Sequence, residues 1–137
     1  MKQLHHTQFI VRDYECDMQG IVNNSVYQNY LEHARHQFLH SRGLDFAATT
    51  FQGINLVVIR AELDYKRSLR SNDEFYVETR VERESKLKFA FYQHIYRSND
   101  KQLMLKAKVT ITSTTPEGRP IVFKEAERLL DRTSDNI

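Results

Sequence analysis

From residue 74 onward the sequence alternates apolar and polar side chains through three successive stretches. In EFYVETRVERE, Phe75, Val77, Thr79 and Val81 share one face, and Tyr76, Glu78, Arg80 and Glu82 the other. Leu87, Phe89, Phe91, Gln93 and Ile95 repeat the pattern against Lys88, Tyr92, His94 and Tyr96. Leu103, Leu105, Ala107, Val109 and Ile111 repeat it against Lys106, Lys108, Thr110 and Thr112. A period of two is strand periodicity, and clean alternation describes antiparallel strands with one packed face and one wet face. The polar turn SND at 98–100 suits a hairpin. INLVVIRAELDY is rich in β-branched residues and adds a strand, and residues 4–11 add another, with Phe9 and Val11 on one face.

Helical period dominates one stretch. SVYQNYLEHARHQFLHSRG opens on Ser25, a good N-cap type, and closes on Gly43, a good residue just past a helix end. Val26, Tyr27, Tyr30, Leu31, Ala34 and Phe38 fall on one side of a helix of four to five turns, with Gln28, Glu32, Arg35 and Gln37 mostly elsewhere. A connector follows, through residue 50. One long apolar helix and about five long strands imply an α+β fold, with an antiparallel sheet wrapped around one central helix. A sheet covered by one helix leaves an edge and a second face exposed, and self-association covers both.

The 137 residues suit a single domain, 1–137, with one core. A hydrophobic share of 40% and a charged share of 28% exclude a disordered chain. The net charge of +2 comes without the dense Lys/Arg runs of a nucleic-acid arm, so no nucleic-acid partner is expected. One cysteine, Cys16, excludes an internal disulfide framework and fits a reducing compartment. No stretch reaches the ~20 apolar residues of a membrane helix, and the first residues do not read as a signal peptide. The expectation is a cytoplasmic domain with no membrane partner.

The order strand, loop, long helix and four long strands resembles the hotdog fold. DMQGIVNNSVYQNYLEHAR is similar to a motif of acyl-CoA thioesterases of the 4-hydroxybenzoyl-CoA thioesterase type, carried here by Asp17, Gly20, Asn23, Asn24, Tyr27, Tyr30 and Arg35. YKRSLRSNDEFYVETRVER resembles a second motif, through Tyr65, Ser68, Asp73 and Val77, and PEGRPIVF a third, through Gly118, Arg119 and Pro120. Many relatives with the Asn-Asn pair carry His where this chain has Ile21.

The resemblance implies hydrolysis of an acyl thioester to a free acid and a thiol. A thiolate leaves readily (reference thiol pKa ~8.5), so one carboxylate can do the work. Asp17 is the expected catalytic carboxylate, either as nucleophile or as general base toward water. The free amides at the helix start, Asn24 first among them, are the expected oxyanion donors. Gly20 lets the loop turn tightly, and Asn23 and Tyr27 are further substrate-side candidates, with a turn residue and a core aromatic as their plainer readings. Lys66, Arg67 and Arg70 are candidates for the phosphates of a CoA thiol, or simply a solvated loop. No cofactor and no metal are expected: His36 and His40 are four apart, but no further ligand completes a set. Cys16 has no recognisable base partner.

The implied partners are an acyl-CoA or other acyl thioester and further copies of the chain, as a homodimer or homotetramer. Three alternatives stand beside the acyl-CoA reading. One is a thioesterase for acyl carrier protein. Another is a non-catalytic acyl-thioester-binding module in which Asp17 is structural. The third is a related dehydratase or hydratase, which would need a histidine where Ile21 stands.

Overall fold

The computed structural model describes residues 4–130. Strand β1 (His5–Ile10) leads through a 3-10 turn (Asp13–Glu15) into helix α1 (Asn24–Ser41). A short helix α2 (Phe46–Phe51) precedes strands β2 (Asn55–Tyr65), β3 (Glu74–Ser85), β4 (Lys88–Arg97) and β5 (Leu103–Thr114), and a second 3-10 segment (Lys124–Leu130) follows. The five strands form one antiparallel sheet in the order β1-β3-β4-β5-β2. Because β1 and β2 lie at opposite edges, the chain joining them must cross the width of the sheet. Helix α1 makes that crossing.

The alternation read from sequence sets the packed face. Phe75, Val77, Thr79 and Val81 of β3, Phe89, Phe91, Gln93 and Ile95 of β4, and Leu105, Ala107, Val109 and Ile111 of β5 are all buried. Against them α1 buries Tyr27, Tyr30, Leu31, Ala34, Phe38 and Leu39. Each large apolar side chain so covered is worth about 1.5–3 kcal/mol. The core has two lobes. The first surrounds the first half of α1 with Val11, Val22, Leu69, Phe75, Ile95 and Leu105. The second surrounds Phe38 and Leu39 and is closed by Phe123, Ala126 and Leu129 from the last described segment.

Four details depart from the sequence reading. Helix α1 begins at Asn24 with Asn23 as its N-cap, and Asn23 makes no side-chain capping bond. The β-region backbone of Asn23 (φ −62°, ψ 141°) sets that start, so Ser25 lies inside the helix. The connector contains α2, whose N-cap Asp45 accepts the Ala47 N–H at 3.0 Å; six residues are too few to display a helical period. Arg35 is mostly inside, donating to Gln93 Oε1 at 3.1 Å. Burial holds its guanidinium down to about 10.

The supposedly wet face of β5 is also partly covered. Thr110, Thr112 and Thr114 are buried. The Thr112 hydroxyl donates to the Leu87 carbonyl at 2.6 Å, and the chain after β5 folds back so that Ile121 N–H reaches the Ser113 carbonyl at 2.9 Å. The end at Gly43 is as read: the Gly43 N–H bonds to His40 O at 3.0 Å and the Leu44 N–H to Leu39 O at 2.9 Å. The left-handed φ of +80° at Gly43 makes that closure possible. Among the described residues no helix is long and apolar enough to cross a membrane.

Candidate active site

Asp17 lies on a short hairpin between the first 3-10 turn and α1. Cys16 and Val22 form an antiparallel bridge, the Asp17 N–H donates to the Ile21 carbonyl at 2.9 Å, and the Gly20 N–H returns to the Asp17 carbonyl at 3.0 Å. Gly20 has φ +82°, and a Cβ there would meet nothing within 4 Å. The constraint at Gly20 is therefore backbone conformation, not space. The Asp17 side chain is exposed, and its Oδ1 accepts the amides of Gln19 (2.8 Å) and Ile21 (3.3 Å). Its Oδ2 has no protein partner among the described residues. One oxygen thus orders the turn while the other faces solvent.

Immediately beyond the hairpin stands the start of α1. Amides in the first turn of a helix have no intrahelical acceptor, and the dipole there favours negative charge. The Val26 N–H is taken by the Asn23 carbonyl at 2.9 Å, which leaves the amides of Asn24 and Ser25. The Asn23 N–H donates to the Glu15 carbonyl at 3.0 Å, so the hairpin base and the helix cap share a bond. At the end of β2 the Tyr65 hydroxyl lies 3.4 Å from the Asn24 carbonyl.

The connector from β2 to β3 runs beside this hairpin. Ile21 bridges to Arg70, and the Val22 N–H donates to the Leu69 carbonyl at 2.9 Å. Lys66, Arg67 and Arg70 are exposed on that connector, and the backbone amides of Lys66 and Arg67 are both anchored on the Met104 carbonyl. Asp73 closes the segment, its Oδ2 accepting the Arg70 N–H at 2.9 Å. Asp17, Gly20, Asn23, Asn24 and the three cations therefore lie on two hydrogen-bonded segments. Tyr27 is set apart from them in the core, 2% exposed, with its hydroxyl accepting the Leu69 N–H at 2.9 Å.

Partial burial, together with the carboxylates of Asp13, Glu15, Asp17 and Asp73, pushes the Cys16 thiol up. A thiol held in that form is a poor nucleophile at neutral pH. Among the described residues no three His, Cys, Asp or Glu side chains are grouped to hold a metal ion.

Over residues 11–127 the chain matches the Thioesterase-like superfamily. The chain belongs to that superfamily. It is 33% identical over 121 residues to the chloroplast acyl-acyl carrier protein thioesterase ATL3 of Arabidopsis thaliana, an alignment covering 88% of this chain and 64% of that protein. The chain thus spans less than two thirds of that plant relative's length. Its backbone superposes on a 1,4-dihydroxy-2-naphthoyl-CoA thioesterase from Synechocystis with a TM-score of 0.88, at 17% identity, covering 94% and 97% of the two chains. A hypothetical protein from Aquifex aeolicus superposes with a TM-score of 0.86 at 29% identity, covering 93% and 99%. The fold is the hotdog.

One residue of this superfamily member escaped the sequence reading. Glu15 binds the Tyr30 hydroxyl at 2.7 Å and the Arg12 N–H at 2.9 Å. The spacing Arg12-x-x-Glu15 is that of a capping carboxylate returning to the start of its own turn, and it carried the missing signal. Tyr65 was read as part of the second motif. Nothing local in β2 marks its relation to Asn24, which is created by the fold alone.

Proposed function

We propose that this chain is an acyl thioester hydrolase, with Asp17 as nucleophile or general base and the amides near Asn24 as the oxyanion site. The observation that carries this reading is the Asp17 carboxylate, with one oxygen pinned to its turn and the other uncommitted, on a hairpin bonded to an open helix start. As nucleophile, Asp17 adds to the thioester carbonyl, the C–S bond breaks, the thiolate leaves, and water cleaves the resulting anhydride. As general base, Asp17 takes a proton from water while that water adds. Either route builds negative charge on the carbonyl oxygen, where a lost amide donor typically costs roughly 2.7–4 kcal/mol of barrier.

The thiol half is CoA or acyl carrier protein. The likeness to the 4-hydroxybenzoyl-CoA type favours CoA, and the acyl-acyl carrier protein thioesterase of Arabidopsis supports the second. Lys66, Arg67 and Arg70 meet phosphates on either carrier, Gly20 and Asn23 shape the entry, and Tyr27 braces it from the core. No cofactor or metal takes part, and neither nucleic acid nor membrane is a partner. The rest of the reading is one hotdog domain over residues 1–137, in a reducing compartment such as the cytoplasm. Oligomers complete it, as a homodimer or homotetramer built through the free edge of β2.

A second reading has its own observation: Asp17 Oδ1 is fully employed in ordering the hairpin. On that reading the chain binds acyl thioesters without cleaving them. A panel of acyl-CoA and acyl carrier protein substrates, assayed for free thiol, separates the two. Thiol release by the wild type, lost in a folded Asp17→Asn, supports hydrolysis. Retention of more than about a tenth of wild-type kcat/KM, a loss under roughly 1.4 kcal/mol, removes Asp17 from the chemistry.

A further inference from the structure

We propose that Glu15 is a positioning residue that, through Tyr30, fixes the Asp17 hairpin against the start of α1; the proposal rests on the hydrolase reading above. Glu15 reaches α1 at two levels. Its carbonyl accepts the Asn23 N–H at 3.0 Å at the helix cap, and its carboxylate accepts the Tyr30 hydroxyl at 2.7 Å. Those helix positions are seven residues apart, about 10 Å along the axis. The same Oε1 accepts the Arg12 N–H at 2.9 Å, which ties the carboxylate to the chain leaving β1.

The second anchor adds a side-chain restraint on the helix side of the hairpin. The hairpin carrying Asp17 is closed at its base by the Glu15 carbonyl, which accepts the Asn23 N–H at 3.0 Å and its side-chain amide at 3.5 Å. It is tied to the β2–β3 connector by the Val22 N–H, which donates to the Leu69 carbonyl at 2.9 Å. The carboxylate adds a side-chain contact to those backbone ties, gripping the body of α1 through the Tyr30 hydroxyl rather than through the helix cap. The post it grips is rigid: Tyr30 is 4% exposed and its ring packs 4.7 Å from Phe75 and 5.4 Å from Phe9. Burial and the adjacent Glu15 push the Tyr30 phenol far above its ordinary range, so its proton stays on the oxygen and Glu15 accepts. On its open side Glu15 borders a groove of about 600 Å³ lined also by Phe9, Arg12, Tyr14 and His33. The carboxylate is thus held by directed bonds at the edge of solvent. Displacing a reacting group by about 1 Å costs up to 10²-fold in rate, which gives a remote clamp kinetic weight.

The test uses Tyr30→Phe, which keeps the ring and removes the hydroxyl, with Glu15→Ala, Glu15→Gln and the double variant Tyr30→Phe/Glu15→Ala. On an acyl thioester, Tyr30→Phe and Glu15→Ala should each lower kcat by roughly 10- to 100-fold with KM nearly unchanged. The double variant should be no worse than either single one. Glu15→Gln keeps the acceptor oxygen and should restore most of the rate. Amide hydrogen exchange gives a readout independent of turnover. At Asp17, Gly20, Val22 and Asn23 it should accelerate in Tyr30→Phe, while amides of β4 stay protected. Unchanged kcat and unchanged exchange overturn the clamp, as does a uniform rise in exchange matching a loss of global stability. A wild type with no thiol release overturns the hydrolase reading instead, and the exchange pattern still decides the clamp.

Discussion

The hydroxyl of Tyr27 accepts the backbone N–H of Leu69 at 2.9 Å, a buried bond between the first helical turns and the connector that carries Lys66, Arg67 and Arg70. The carbonyl of the same Leu69 accepts the Val22 N–H at 2.9 Å. Leu69, fully buried, therefore has both backbone groups committed, one to the helix and one to the Asp17 hairpin. Tyr27→Phe keeps the ring, which meets Tyr65 edge-on at 5.5 Å, but strands the Leu69 amide. An unpaired buried donor costs about 1–3 kcal/mol. The urea midpoint should fall with the slope unchanged, and a loss below about 0.5 kcal/mol would mean that water replaces the hydroxyl.

What the sequence could carry follows from the range of each interaction. Alternation is local, so Phe75 to Val81, Phe89 to Ile95 and Leu105 to Ile111 announced their own face without the rest of the chain. The left-handed turn at Gly43 is local too. The N-cap was misread because Ser25 and Asn23 are both good cap residues, and only the extended backbone at Asn23 decides between them. The buried outer face of β5 was invisible because contacts from elsewhere in the chain, such as Thr112 with Leu87 and Ser113 with Ile121, exist only in the fold. Asp17, Gly20 and Asn24 came from a contiguous motif, whereas Glu15–Tyr30 and Tyr65–Asn24 join residues distant in sequence. Such pairs exist only after the fold has formed.

Three histidines make stability depend on pH in one direction. Burial is the largest cause that lowers the pKa of His5, His36 and His94, and nearby cations (Arg42, Arg35 and Lys106) push the same way. A histidine whose folded pKa lies below its unfolded value binds its proton more readily when the chain unfolds. Stability is therefore full above about pH 6.5 and falls as the pH drops through it. Asp100, held down to about 2 by Arg97, stays ionised over that window and does not contribute. Urea midpoints measured from about pH 7.5 to about 5.5 should decline, and His5→Phe should flatten the decline. A flat wild-type profile would contradict the shifts.

The free edge of β2 predicts the oligomer. β2 is an eleven-residue strand paired, among the described residues, only with β5, and it exposes Val57, Val58 and Ile59 at 38%, 49% and 47%. Phe51 of the neighbouring α2 is 93% exposed. A long apolar edge is a template for strand pairing unless something covers it. A second copy would cover it symmetrically and generate two equivalent sites. Light scattering should give a multiple of the monomer mass, and Ile59→Lys should return the monomer. A wild type that is monomeric at all micromolar concentrations removes the interface.

The thiol carrier should reveal itself through salt. CoA bears its phosphates at the nucleotide end, whereas its pantetheine arm is neutral and slender. With the reacting carbonyl at Asp17, the phosphates stay outside, and the nearby connector presents Lys66, Arg67 and Arg70 to solvent. The Ile21–Arg70 bridge holds that connector beside the hairpin. Contacts between exposed charges weaken as the Debye length shrinks from ~10 Å at 0.1 M salt to ~3 Å at 1 M. KM for an acyl-CoA should therefore rise with salt, while KM for the matching acyl-pantetheine ester should move far less. Replacing Lys66, Arg67 and Arg70 together by alanine should bring the two responses together and leave kcat largely intact. Equal salt responses in the wild type would remove the phosphate contact and transfer recognition to the neutral arm.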